Sequence, residues 1–283
     1  MRRLTLSFVA VATLTAMGSA VPSATAAHAA EPLCQGHAAT IVAGSSVEGT
    51  DGNDVIVATG ANIQSVSGNA GDDLICLYGP LYGDGFELPE VSGGPGIDSL
   101  VVRGGPDRDF LAVWDDIEKL DISLGPDQDK LRMYEGLGVG GTGVIKGGDG
   151  DILQVREFSK SVRVDLEDRV LELDGTGKYT VSGFSRISAS APRVFMAGDR
   201  RANGLMASGC RVTVQGGRGN DVLIVSASFC DVRGARVSGQ KGDDLMVGDS
   251  QNDVLLGGPG EDRARGRGGR DRCVAEMENS CER

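Results

Sequence analysis

Four aspartates near the C-terminus, Asp244, Asp253, Asp262 and Asp271, recur every nine residues. Each is the sixth residue of a nonapeptide that opens with glycine: GQKGDDLMV, GDSQNDVLL, GGPGEDRAR and GRGGRDRCV. The eighth position carries Met246, Leu255, Ala264 and Cys273. Such a unit reads as a six-residue turn and a three-residue strand with one inward side chain. Two units make one coil, so residues 18 apart stack, pairing Asp244 with Asp262 and Asp253 with Asp271 on opposite sides. With strands about 4.8 Å apart, the two carboxylates of a pair repel by about 3 kcal/mol at an effective dielectric near 20. A divalent cation reverses that sign. Calcium takes roughly six to eight oxygens at about 2.3–2.6 Å, so a carboxylate pair can share an ion with main-chain carbonyls of both turns; magnesium, with its tight octahedral demand, fits worse.

The elements that must hold these aspartates extend far upstream. GTDGNDVIV at Gly49, GNAGDDLIC at Gly68, GGPGIDSLV at Gly93 and GGRGNDVLI at Gly216 put Asp54, Asp73, Asp98 and Asp221 in the sixth place. Looser copies occur as GGPDRDFLA at Gly104, LGPDQDKLR at Leu124 and KGGDGDILQ at Lys146, the last having lost a residue before Asp151. Asp54 and Asp73 are 19 apart, a coil plus a small bulge; Asp221 and Asp244 are 23 apart, which requires a loop-out around Cys230. Asp98, Asp109 and Asp129, spaced 11 and 20 with Pro or a misplaced Asp in their turns, read as weaker sites. Asp54, Asp73, Asp98, Asp221, Asp244, Asp253, Asp262 and Asp271 are therefore the candidate metal ligands, for several Ca2+ ions. Between Val155 and Ser208 the repeat fades into short alternating runs such as VRVDL and VLELDG, which fit half-buried strands. The expected fold is all-β, a parallel solenoid that is irregular in the middle; a separate small β-domain there is the alternative. The best candidate for a short helix is Val274–Cys281.

Composition agrees with a solenoid. Glycine is 44 of 283 residues and aromatics are 4%, too few for a conventional layered core, whereas a coil needs one modest apolar residue per strand. The chain opens with Arg2-Arg3, an apolar run from Leu4 to about Met17 and small residues ending Ala27-His28-Ala29, the pattern of a secretory signal peptide. The run is too short to span a bilayer comfortably. Cleavage after Ala29 removes two Arg and no acids, taking the formal charge from −12 to −14. Such a chain repels nucleic acid and anionic membranes and attracts cations. Six cysteines in an exported chain read as disulfides, simplest as Cys34–Cys76, Cys210–Cys230 and Cys273–Cys281.

At these residues the chain resembles the haemolysin-type (RTX) calcium-binding repeat family, whose repeats form a parallel β-roll. CQGHAATIVAGSSVEGTDGNDVIV, GDDLIC and the closing GGRDRCVAEMENSCER look like exported actinobacterial members. The resemblance implies calcium-driven folding with repeat Asp and turn carbonyls as ligands. The chain departs from the pattern where Gln251 replaces the fourth-position Gly, expected to strain that turn, and where Ala264 is a small filler. The expected organisation is a signal peptide over 1–29, repeats over 30–135, a degenerate solenoid over 136–208, and repeats with a stapled cap over 209–283. The expected function is a secreted, non-enzymatic calcium-binding β-roll, with surface or matrix glycans as further partners. The alternatives are an adhesin, or a calcium-dependent polysaccharide lyase or epimerase using Asp199, Arg200 and Arg201. The five Arg within Arg263–Arg272 read as a charged final coil that blocks edge-to-edge growth, and Trp114-Asp115-Asp116 as an exposed turn.

Overall fold

The computed structural model describes residues 31–282 apart from 61–62, 82–88, 115, 135–139, 157–159 and 228–233. The expected signal peptide, and Cys230 with the loop-out around it, lie outside the described residues. Residues 31–283 form one unit, and no helix occurs among the described residues. None therefore is long and apolar enough to cross a membrane.

Two sheets face each other across a narrow core, and the chain passes from one to the other at each turn. The first sheet runs from Ile41–Ala43 through Val55–Thr59, Leu74–Tyr78, Ser99–Arg103 and Lys119–Ser123 to the first half of Thr142–Val155, all parallel. The second runs from Val47–Glu48 through Ser65–Ser67, Glu90–Ser92, Phe110–Val113 and Lys130–Met133 to the second half of Thr142–Val155. Two 14-residue strands, Thr142–Val155 and Gly177–Ser190, each cross both sheets. The residue missing before Asp151 accounts for this: a shortened turn becomes a bulge, and the strand runs on through it.

The stack does not break in the middle. An antiparallel hairpin, Ser161–Asp165 with Val170–Leu173, is spliced into the first sheet between Gly177–Ser190 and Arg193–Ala197. Parallel pairing then resumes through Arg211–Arg218, Arg236–Lys241, Val254–Leu256 and Arg272–Val274. The second sheet continues through Gly204–Gly209, Val222–Ala227, Leu245–Val247, Arg263–Arg265 and Met277–Asn279. Val274–Cys281, the best candidate for a short helix, holds strand instead. Its backbone finds ready-made ladder partners on the exposed edges, and Met277–Asn279 pairs with Arg263–Arg265.

Side chains alternate inward and outward along each strand. Five-residue strands of the N-terminal half turn two residues each into the core between the sheets, as with Ile56 and Ala58, Ile75 and Leu77, Leu100 and Val102. The three-residue C-terminal strands turn one into it: Met246, Leu255 or Ala264. The core tapers toward the C-terminus, where Cys273–Cys281 is bridged across 5.8 Å between Cα atoms. At the other end Cys34–Cys76 ties the Leu33–Cys34 and His37–Ala38 hairpin to the outer side of the first sheet, over Val57 and Val101. Cys210 is disulfide-bonded, and its expected partner Cys230 is not described.

Candidate metal-binding turns

The sixth-position aspartates are all buried, from Asp54 at 7% exposure to Asp98 and Asp262 at 0%. They form ladders along the two edges where the chain turns. On the first-sheet edge the Asp54 N–H donates to Asp73 Oδ1 and the Asp73 N–H to Asp98 Oδ1, both at 2.8 Å. On the second-sheet edge the Asp109 N–H donates to Asp129 Oδ1 at 2.8 Å and the Asp129 N–H to Asp151 Oδ1 at 2.9 Å. Further along that edge the rungs are Asn203, Asp221, Asp244 and Asp262. The Asp253 N–H reaches Asp271 Oδ1 at 2.9 Å on the opposite edge. Stacking of Asp244 on Asp262 and of Asp253 on Asp271 follows the spacing of 18, and Asp221 and Asp244 stack despite 23.

The separations of 11 and 20 have a plain cause. Asp98 belongs to one edge and Asp109 and Asp129 to the other, so their irregular separation reflects different ladders and not poor fit. Two glutamates close ladders where no Asp follows: Glu118 accepts the Asp98 N–H at 2.7 Å and Glu276 the Asp262 N–H at 2.8 Å. Sequence reasoning missed both, together with Asn203. The recurring Asn or Asp before the key Asp was the available signal for another feature. These fifth-position side chains form an exposed parallel ladder, in which Asn53, Asp72, Asn220, Asp243 and Asn252 each accept an N–H from the next coil.

The second carboxylate oxygen divides the turns into two classes. In Asp73, Asp98, Asp129, Asp221, Asp244, Asp262 and Asp271, Oδ2 is buried with no hydrogen-bond partner. In every one of these turns the residue four positions earlier is left-handed: Asn69 (φ 70°), Gly94, Gly125, Gly217, Gln240 (75°), Gly258 and Arg267 (75°). That conformation swings the second-position N–H away from the carboxylate. In the other class the second-position residue is not left-handed and its N–H caps the carboxylate: Thr50 on Asp54 and Asp249 on Asp253, both at 2.7 Å, and Gly105 on Asp109. Gly148, one position later in its shortened turn, caps Asp151. Asp199 does the same for Asn203 at 2.8 Å. Here the Thr50, Asp249 or Asp199 side chain also accepts the N–H two residues on, the turn these residue types favour. Gln251 is therefore unstrained, because its turn needs no left-handed fourth residue.

First-position glycine has a steric cause. A Cβ on Gly68, Gly93, Gly216 or Gly266 would collide with the Oδ2 of Asp73, Asp98, Asp221 or Asp271, and also with a main-chain carbonyl of the next coil, that of Gly93, Asp116, Gly239 or Ser280. A carboxylate oxygen and a carbonyl oxygen thus crowd the same side of one Cα with no donor between them. An unpaired buried charge of this kind is costly. Burial, opposed in part by the rung N–H and reinforced by neighbouring carboxylates, raises Asp129 and Asp221 to a pKa of about 7. It raises Asp98 to about 6 and moves Asp73, Asp244, Asp262 and Asp271 upward as well. Burial also pushes Asp54 up, but hydrogen bonds from Thr50 and Thr40 outweigh it and hold that carboxyl below its ordinary value.

All these donors are hard oxygens, which suit calcium. Among the described residues no three acidic, His or Cys side chains converge on one point, so most of an ion's shell must come from turn carbonyls. The RTX calcium-binding nonapeptide repeat matches in four copies, over residues 46–62, 213–227 and 238–273. This chain carries RTX calcium-binding repeats. They mark it as a calcium-binding β-roll, and the matched blocks contain Asp54, Asp221, Asp244, Asp253, Asp262 and Asp271. Asp73, Asp98 and Asp129 fall outside those blocks yet keep the same uncapped oxygen. No curated protein matches the chain. At the alternative site, Asp199, Arg200 and Arg201 line a hollow of about 420 Å³ with Glu167 and Phe184; Arg200 meets Glu167 at 2.9 Å and Arg201 meets Asp199 at 3.2 Å.

Proposed function

We propose that this RTX β-roll is an exported, non-enzymatic protein whose folding is coupled to several calcium ions held along its two edges. The observation that carries the reading is the set of seven buried, uncapped Oδ2 atoms, each beside a left-handed second residue. Asp73, Asp98, Asp129, Asp221, Asp244, Asp262 and Asp271 hold the ions, with the carbonyls of their own and neighbouring turns. The ion supplies the positive charge that cancels carboxylate repulsion. Asp54, Asp109, Asp151 and Asp253, whose oxygens already accept N–H groups, serve as structural rungs. Export is supported by the disulfides Cys34–Cys76 and Cys273–Cys281, which persist in oxidising compartments. Titrating calcium into chelated protein, followed by circular dichroism and calorimetry, tests the reading. The expected result is a gain of β signal, several ions bound, and a much weaker response to magnesium. A chain already fully folded in excess chelator, disulfides reduced, with no heat of calcium binding would sink it.

A further inference from the structure

Both sheets present cations on their outer surfaces. On the first sheet acidic residues stand among them: Arg103 pairs with Asp121, Arg163 with Asp165 and Lys178 with Glu172, while Arg193 and Arg211 lie side by side outside any ion pair among the described residues. On the second sheet, the outward positions of the six strand segments from Phe110 to Ser226 include no acidic residue among the described residues, although the chain holds 40. They do include Lys130, Arg132, Arg156 and Arg186, none of them in an ion pair among the described residues.

These cations are held in place. Arg132 donates from Nε to Gln154 Oε1 at 3.2 Å and from Nη1 to the Tyr134 hydroxyl at 3.0 Å. Tyr134 stacks on Trp114, with ring centroids 3.9 Å apart. The Trp114 indole N–H is buried without a partner, so this residue is not the exposed turn that its polar neighbours suggested. Beyond Arg156 the same row continues as Ser190, Ser208 and Ser226 on successive coils. With Ser188 and Met206 they line a groove of about 260 Å³.

We infer that this face of the second sheet binds an acidic polysaccharide lying across the strands, its carboxylate or sulfate groups on Lys130, Arg132 and Arg156 and its hydroxyls on the serine row. Charge complementarity commits the surface to an anion. The rungs repeat about every 4.8 Å, a spacing that suits an extended polymer, and a row of hydroxyls matches sugar hydroxyls. Nucleic acid, with one charge per roughly 1.7 Å of duplex, is opposed by the net charge of −12. The surface lies on the strands, with Lys130 next to the Asp129 turn and Arg132, Arg156 and the serine row farther from the turn edge.

The test is calorimetry of the calcium-loaded chain with short oligogalacturonates, sulfated dextran, neutral dextran and oligodeoxythymidylate. One or both acidic glycans should bind, and which one identifies the anionic group. Replacing Arg132→Gln together with Arg156→Gln should weaken binding at least tenfold, while Arg263→Gln with Arg265→Gln leaves it within twofold. Hydrogen exchange on the unmodified chain supplies a second readout independent of variant folding. Bound glycan should protect Lys130–Met133 and Gly204–Gly209. Equal binding of neutral dextran, tighter binding of the oligonucleotide, an undiminished double variant or protection confined to other strands would each overturn the assignment.

Discussion

The C-terminal coils over 239–274 and the middle coils over 142–215 share one strand stack, but different forces hold them. The middle buries two apolar residues per strand, such as Ile187 with Ala189 and Val194 with Met196, and has no acidic ladder along much of its length. Phe184 pairs with Asp151 at the place where the next rung would stand, and its ring fills the space beside Gly147. The C-terminal coils bury one modest residue per strand and bring Asp221, Asp244 and Asp262 together in a row. Removing apolar area from water stabilises by about 25 cal/mol per Å², so wide coils can stand alone. On the proposed function, the narrow coils, with less of that area and with stacked carboxylates, are the ones that need a cation. The spliced hairpin at Ser161–Leu173 fits the same rule: once apolar packing suffices, strict repeat length is no longer needed.

Chelation should break the two regions apart most sharply. In excess chelator, hydrogen exchange is expected to lose protection across Leu245–Val247, Val254–Leu256 and Arg263–Arg265 while Gly177–Ser190 and Arg193–Ala197 keep much of theirs. Uniform loss would mean that one cooperative unit depends on the ions throughout. The next largest effect comes from the carboxylates themselves. At calcium about a hundredfold above Kd, each lost ion costs about 2.7 kcal/mol. Asp244→Ala with Asp262→Ala should therefore lower both the ion count and the calcium-dependent stabilisation. Asp253→Ala should leave the ion count unchanged and cost about 1–3 kcal/mol with or without calcium, because the Ala235 and Asp249 N–H groups lose their acceptors. Calorimetry beside thermal melts separates the two cases.

Acidity should act in opposite directions on the two forms. Burial raises Asp129 and Asp221 to about 7 and Asp98 and Asp253 to about 6. The ion-free fold then binds more protons than the unfolded chain, so its stability is highest at low pH and is lost as pH rises through 6 and 7. Calcium-loaded protein should instead weaken as pH falls through that window, because protons displace the ion. Melting temperatures between pH 5 and 8, with and without chelator, read both slopes. The smallest effect is conformational. Arg267→Gly should stabilise by about 1 kcal/mol, relieving a left-handed non-glycine residue. Gln251→Gly should destabilise by roughly 0.5–1 kcal/mol, although it restores the repeat pattern.

Much of this was legible in the residues. A period of nine fixed the coil, the eighth position fixed the inward side chain, and a separation of 18 gave the two stacked pairs near the C-terminus. The place of Asp98 and Asp129 in their ladders could not be read, because linear spacing mixes two edges that only the folded coil separates. Part of the division of turns was also written in the sequence, at the second position: Thr50, Asp199 and Asp249 cap their own turns, whereas Gly105, which also caps, and Gln240 and Arg267, which do not, give no such signal. The hairpin could not be read this way, since alternation alone does not distinguish an antiparallel insertion from one more coil. Glu118 and Glu276 escaped because a longer side chain reaches the rung from outside the nonapeptide frame.

The sixth-position rungs have a direction. There the N–H of one coil is answered by the carboxylate of the coil that follows, from Asp54 to Asp73 at one end and from Asp262 to Glu276 at the other. That ladder is therefore polar, like a filament with unlike ends. A chain produced from its N-terminus lays down each donor of this ladder before its acceptor exists, so a partial roll ends there in an unanswered amide. Glu276 quenches that end, and the neighbouring Cys273–Cys281 bridge locks it. Cutting just before Glu276 would leave the growing tip of the filament active, an amide open to capture by any passing carboxylate.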